Sequence, residues 1–278
     1  MTYSFTSRRD VLAGTGALLA FALSSARVGA APVGDASSAA ANWISRAAGS
    51  YDRPRLFHSV ARGLAMIPGR APVVTMAERG LHALAARPAG RADQSQFGTD
   101  SETSGATLVR SKFLGVALNP WTMKPIETHY NEITGTRLPV APRRLDETTL
   151  IAGPAAIIKR DGQQASPRWL RISEARFGEE TIISSFESAL ASPDARPSVT
   201  SLSFRAVSGA DASDARQIDF SMALMFAAED RPWLGFPAAQ RVQIMLNVTG
   251  RSIDDTNALD EDLLARLRDQ EDFLSFAG

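Results

Sequence analysis

From Thr107 onward, runs of β-forming residues alternate with turn residues. Thr107 to Leu118 is rich in β-formers, Ile126 to Glu132 alternates, and Thr149 to Lys159 is apolar with a break at Gly153-Pro154. Trp169 to Ile172, Thr181 to Ser188, Val199 to Val207 and Ile218 to Ala227 follow. Arg241 to Val248 alternates again, with Val242, Ile244, Leu246 and Val248 on one side. Asp161-Gly162, Ser192-Pro193-Asp194 and Gly209 to Asp214 supply turns between these runs. About seven or eight strands at hairpin spacing predict a mainly β chain, an antiparallel barrel or sandwich-like domain rather than a parallel α/β sheet.

The flanks read differently. Between Arg53 and Ala86, Leu56, Val60 and Leu64 recur at helical spacing, as do Met76, Leu81 and Leu84, with Pro68-Gly69 and Ala71-Pro72 between them. Two short helices or irregular strands fit this less regular stretch. Residues 87–105 are rich in Pro, Gly, Ser, Asp and Gln and predict a long flexible loop. At the far end Leu259, Leu263, Leu264 and Leu267 share one face of a short helix. Asp260, Glu261 and Asp262 open it, Arg266 and Arg268 close it, and Asn257 is the expected N-cap. Phe273, Leu274 and Phe276 are expected to tuck the tail onto the sheet.

The first thirty residues have the grammar of an export signal. Ser7-Arg8-Arg9-Asp10-Val11-Leu12 reads as a twin-arginine motif, and Ala13 to Leu23 is an apolar run of eleven residues. A bilayer span needs about 20. Val28-Gly29-Ala30 offers small residues for cleavage after Ala30. The expected organisation is a signal over 1–30, a linker over 31–52 and a single β-rich domain over 53–278. The expected partner during export is the Tat translocase, and the expected location is the periplasm or the exterior. No second apolar run approaches membrane length, so no stable span is expected after cleavage.

Composition narrows the chemistry. The 278 residues carry 30 Lys plus Arg and 30 Asp plus Glu. Removal of the signal would leave 27 positive and 29 negative side chains. Such a balance argues against nucleic acid as a partner. There is no cysteine, which excludes disulfides, thiolate-ligated metals and a cysteine nucleophile. No G-x-S-x-G, P-loop or EF-hand loop occurs. No cofactor is indicated by any motif.

Two stretches carry a resemblance. One is Asn119-Pro120-Trp121-Thr122-Met123-Lys124-Pro125-Ile126-Glu127-Thr128-His129; the other is Arg231-Pro232-Trp233-Leu234, followed by Gly250-Arg251-Ser252, Leu259 to Leu264 and Phe273-Leu274. Over Thr107 to Leu274 the chain resembles the bacterial family known as domain of unknown function 1838. That resemblance implies a twin-arginine signal, an Asn-Pro-aromatic-Thr-Gly turn before a strand, and a late Trp-Leu segment with a short closing helix. Here Met123 stands where the family usually has Gly. The family brings no established activity.

Candidate chemistry concentrates in the same turn. If Ile126 to Glu132 is a strand, Glu127, His129 and Asn131 share one face and Ile126, Thr128 and Tyr130 the other. A carboxylate and an imidazole so placed can orient each other for proton transfer; the plainer alternative is a wet face of a half-buried sheet. Asn119, Trp121, Tyr130 and Trp233 are the candidate ligand contacts, with Glu127 and His129 the candidate catalytic pair. His58, beside Arg53 and Arg55, is expected at a helix start or loop. His82, four residues after Glu78, fits a surface helical pair. The leading expectation is an exported protein that binds a small apolar molecule in a barrel-like cavity. The alternatives are an enzyme (hydrolase, isomerase or lyase) using His129 and Glu127, and an envelope interaction protein.

Overall fold

The computed structural model describes residues 47–96, 105–131, 135–139, 143–152, 156–160, 166–177, 180–189, 198–207, 217–227, 236 and 242–276. The signal, most of the linker, Trp233 and residues 97–104 lie outside the described residues. Described strands are β1 Arg55–Met66, β2 Val73–Pro88, β3 Thr107–Leu118, β4 Thr128–Asn131, β5 Thr136–Pro139 and β6 Arg143–Ala152. They continue with β7 Ala156–Arg160, β8 Ser166–Phe177, β9 Glu180–Ala189, β10 Ser198–Val207, β11 Gln217–Ala227 and β12 Gln243–Ile253. Two short helices accompany them, α1 Arg91–Gln96 and α2 Glu261–Arg268.

Apart from β4 and β5, every one of these strands pairs antiparallel with its neighbours in the order β1-β12-β11-β10-β9-β8-β7-β6-β3-β2. Because β1 also pairs with β2, the order returns to its start and the sheet closes into a barrel. The expected mainly β, antiparallel fold is what the chain forms. Closure removes the exposed edges that an open sheet would have to protect. β4 and β5 form a separate two-stranded sheet.

The inner wall is identified by burial and convergence. Phe57, Ser59, Ala61, Gly63 and Ala65 alternate along β1 and are all buried. They register with the buried residues Gly250, Val248, Leu246 and Ile244 of β12, Ser59 opposite Gly250 and Ala65 opposite Ile244. The Phe57 and Phe204 rings lie 5.8 Å apart, although β12 and β11 separate their strands. Three strand spacings are about 14 Å, so side chains that meet this way point into the concave side. The opposite face of β12, with Asn247, Thr249 and Arg251, is exposed.

On β2 both faces are covered. Leu81, Ala83 and Ala85 lie beneath the C-terminal segment with Leu56, Leu114, Leu259, Leu263, Phe273 and Phe276. Leu263, Phe273 and Phe276 are almost completely buried, so the tail docks on the outer wall. Its polar anchors are Lys112 Nζ donating to Ser275 O at 2.6 Å, and Arg144 donating to Asp272 and to Gln270. Lys112 and Arg144 also lie over the Phe276 and Phe273 rings, at 5.0 and 5.9 Å.

Several expectations are corrected. Of the two alternatives for residues 53–86, short helices or irregular strands, the strands are what forms: β1 and β2, with a register shift between Gly63 and Leu64. Helical spacing misleads there because strand residues are buried on both sides. His58 and His82 are therefore strand residues, and buried Glu78 and half-buried His82 share one face of β2 rather than pairing on a helix surface. The linker gives way before residue 52: Ala47 and Ala48 are buried, Ala86 N–H donates to Gly49 O at 2.9 Å, and the Tyr51 ring packs on Phe276. The long loop begins after β2 and contains α1, anchored where Asp93 accepts from both terminal nitrogens of Arg87 at 2.7 Å and from Gly90 N. The N-cap of α2 is Asp260; Asn257 lies inside a preceding 3-10 turn capped by Asp255.

Candidate functional site

Two polar assemblies stand out, one on each side of the barrel wall. On the inner wall β2 supplies Glu78 and His82, β3 supplies Phe113, and β6 supplies Arg143. Arg143 Nη1 donates to Glu78 Oε2 at 3.1 Å, and its guanidinium lies 5.3 Å from the Phe113 ring centroid. The same ring meets His82, with centroids 4.6 Å apart. Gly80 and Gly115 face each other across β2 and β3. A Cβ on Gly80 would overlap the Phe113 ring, and one on Gly115 would overlap the Glu78 carboxylate. The glycine pair is thus what lets Glu78 and Phe113 lie flat on the wall.

Burial sets the charges of this group. It pushes the Glu78 carboxyl above its usual range, and Arg143 pulls it back. Burial, helped by Arg143, drives the His82 imidazole down to about 3, so His82 is neutral at working pH. A neutral imidazole that gains a proton only in strong acid packs and hydrogen-bonds; it does not shuttle protons at neutrality.

The outward face of β9 to β12 and β1 forms a groove of about 720 Å³. Its floor has two rows set by strand register. Arg205, Asp219, Arg251 and His58 register in turn across β10, β11, β12 and β1. Two residues along, Ser203, Ser221, Thr249 and Val60 form the second row. Adjacent positions in a row are about 4.8 Å apart, and the rows are about 6.8 Å apart. Ser184 and Ser203 share a hydrogen bond of 3.0 Å, extending the hydroxyl row onto β9.

Beside the groove, its lining residue His58 meets the start of α2. His58 Nε2 lies 3.0 Å from Asp260 Oδ2, and Arg79 Nε lies 2.9 Å from the same oxygen. Arg79 also reaches Asp262 at 2.7 Å. Burial lowers the His58 pKa; Asp260 acts against that, while Arg79 and Arg251 reinforce it. This size falls within the range of small-ligand sites. Alternating charges beside hydroxyl groups can bind a polar ligand at several points at once.

Of the residues singled out in the sequence, Asn119, Trp121 and Glu127 belong to neither assembly. Asn119 builds its own turn: its Oδ1 accepts from Trp121 N at 2.9 Å and Thr122 N at 3.0 Å. Trp121 is 61% exposed at the tip of that turn. Met123 has φ 57°, the left-handed region glycine favours. The strand expected over Ile126 to Glu132 is instead β4, Thr128–Asn131. Glu127 precedes it in an exposed bend. His129 registers with Leu138 and Tyr130 with Arg137 in the separate hairpin; their side chains, with that of Trp169, lie outside the described residues, as does the whole of Trp233.

Neither assembly was legible as a site in the sequence. Glu78, His82, Phe113 and Arg143 come from three strands, and only the spacing of Glu78 and His82 is a local feature of the sequence. The groove draws on five strands, so no local motif marks it. Among the described residues no group of three or more His, Asp or Glu is placed to hold a metal ion. Comparison with family models, with curated proteins and with solved structures finds no match for this chain.

Proposed function

We propose that this is an exported small-molecule-binding barrel whose ligand lies in the outward groove. The observation that carries the reading is the floor of that groove, a row of Arg205, Asp219, Arg251 and His58 beside a row of hydroxyl groups. The charged and hydroxyl side chains of those rows favour a polar ligand, hydroxylated and anionic, over the apolar one expected from the sequence. Hydroxyl groups on the ligand would exchange hydrogen bonds with Ser203, Ser221 and Thr249, and a carboxylate or phosphate would face Arg251. Export through the Tat route into the periplasm belongs to the same proposal and rests on Arg8-Arg9 and the apolar run after them.

The test begins with native mass spectrometry of the mature chain, purified gently after export by its own signal. A bound polar small molecule at one per chain is expected. D-glucuronate serves as a defined probe in calorimetric titrations, with glucose and laurate as comparisons. Saturable binding of glucuronate, weakened about tenfold by Arg251→Ala, is the expected result. Laurate binding with no response to glucuronate would return the reading to an apolar cavity. No bound mass and no response to any probe would overturn it.

A hydrolytic reading has one observation behind it. His58 stands beside the Asp260 carboxylate in a groove that also contains serine hydroxyls, the relationship of a base to its orienting carboxylate. Ester hydrolysis that disappears in His58→Ala and Asp260→Ala would establish it; equal background rates in all three proteins would remove it.

A further inference from the structure

The Asp260 carboxylate has an unusual use for its position. It is the N-cap residue of α2, where an acidic side chain ordinarily accepts from the first free N–H groups of the helix. Here it makes no capping hydrogen bond. It turns to the barrel and lies 2.9 Å from Arg79 Nε and 3.0 Å from His58 Nε2. His58 is a lining residue of the groove, and Arg79 registers opposite the lining residue Val60. Arg251, exposed and registered opposite His58, completes a cationic end. The carboxylate itself is about two-fifths exposed, so it sits at the mouth of this end and is not sealed beneath it.

We propose that this end of the groove is the anion subsite of the ligand site, and that Asp260 occupies it as a built-in stand-in for the ligand's carboxylate or phosphate. The inference rests on the groove reading above and adds the place where the ligand's charge is read. Arg79 already faces two carboxylates, Asp260 and Asp262, so a third anion adds repulsion that one guanidinium does not offset, and the incoming anion displaces Asp260. Freed from the barrel, Asp260 can return to its capping role at α2, which lowers the cost of the exchange. Arg79 keeps its second contact, with Asp262, so the guanidinium remains in place. Because a ligand and Asp260 compete for the same cations, binding and the seating of α2 are linked in both directions.

The experiment compares the whole mature chain with Asp260→Asn, which retains a good N-cap residue and removes the competing charge. D-glucuronate, inorganic phosphate and glucose are the probes, titrated by calorimetry, with hydrogen exchange followed at residues 259–268. The proposal expects both anions to bind the variant about tenfold more tightly than the natural chain, with glucose unchanged. It also expects slower exchange at the first amides of α2 in the natural chain when the anion is added, because the freed carboxylate then caps them. Adding Arg79→Met to the variant should abolish the gain. Equal or weaker anion binding in Asp260→Asn overturns this inference and leaves the groove reading standing. Failure of both proteins to bind any anion removes the groove reading, and this inference with it. A gain for phosphate but not glucuronate keeps the subsite and assigns it to phosphorylated ligands.

Discussion

Replacing Arg143 by Met would test the physics of the inner wall. Glu78 is 4% exposed, and Arg143 is the charged group bonded to it. Breaking a buried pair by removing one partner costs about 3–5 kcal/mol, because the remaining charge stays desolvated. Arg143 is itself about 30% exposed, so water already screens part of the pair and the lower end, about 3 kcal/mol, applies. For a chain of this size that is roughly 6–12 °C in Tm. The loss must also depend on pH. Burial raises the Glu78 pKa above its ordinary 4.5, so in the window above that value the folded state holds a proton the unfolded state has released. Stability therefore falls as pH rises through this window, and the penalty is complete only above the folded pKa. Arg143 holds that pKa down, so its removal extends the window upward and deepens the penalty near neutrality. Urea unfolding at about pH 4 and about pH 7 reads this directly: the variant should lose little at the lower pH and about 3 kcal/mol at the higher. Adding Glu78→Gln should recover most of the loss at neutrality. An equal loss at both pH values, or a double variant no better than the single, would refute the reasoning.

Three further outcomes follow from the same structure. Leu263→Ala empties a fully buried site between α2 and the barrel and should cost about 2–5 kcal/mol in chemical unfolding, with faster hydrogen exchange along the tail. Met123→Gly relieves a left-handed backbone in an exposed turn and should raise stability by about 1 kcal/mol; a lower Tm would show that the Met123 side chain holds the turn. Gly115→Ala drives a methyl group into the Glu78 carboxylate and should cost about 1–3 kcal/mol, a loss that Glu78→Ala in the same chain should partly relieve.

What could be read from the sequence follows from how each segment is buried. Strands with one wet face keep their period of two, and β12 shows it: Ile244, Leu246 and Val248 inward, Asn247, Thr249 and Arg251 outward. The closing helix was equally legible, because Leu259 and Leu263 face the barrel while Glu261 and Arg268 face water. On β1 and β2 the pattern failed for a stated cause. Leu56 is buried under the tail and Phe57 against the inner wall, so adjacent residues are both apolar and the alternation disappears. Leu56, Val60 and Leu64 then imitate a helix.

The candidate chemistry was located by residue type along a single turn, Asn119 to His129, and that turn lies outside the barrel sheet. Asn119 serves its own backbone and Glu127 faces water. Composition, the strand-rich pattern, the charge balance and the apolar face of the last helix were determined by the sequence alone, since each depends on residues close together in the chain. Ring closure, the covering of β2 on both faces and the meeting of Glu78 with Arg143 were decided only by tertiary structure. So was the groove that joins β9 to β12 with β1, and its contact with Asp260. Residues from 58 to 260 become neighbours there through strand register, and register is a property of paired strands that no single segment carries.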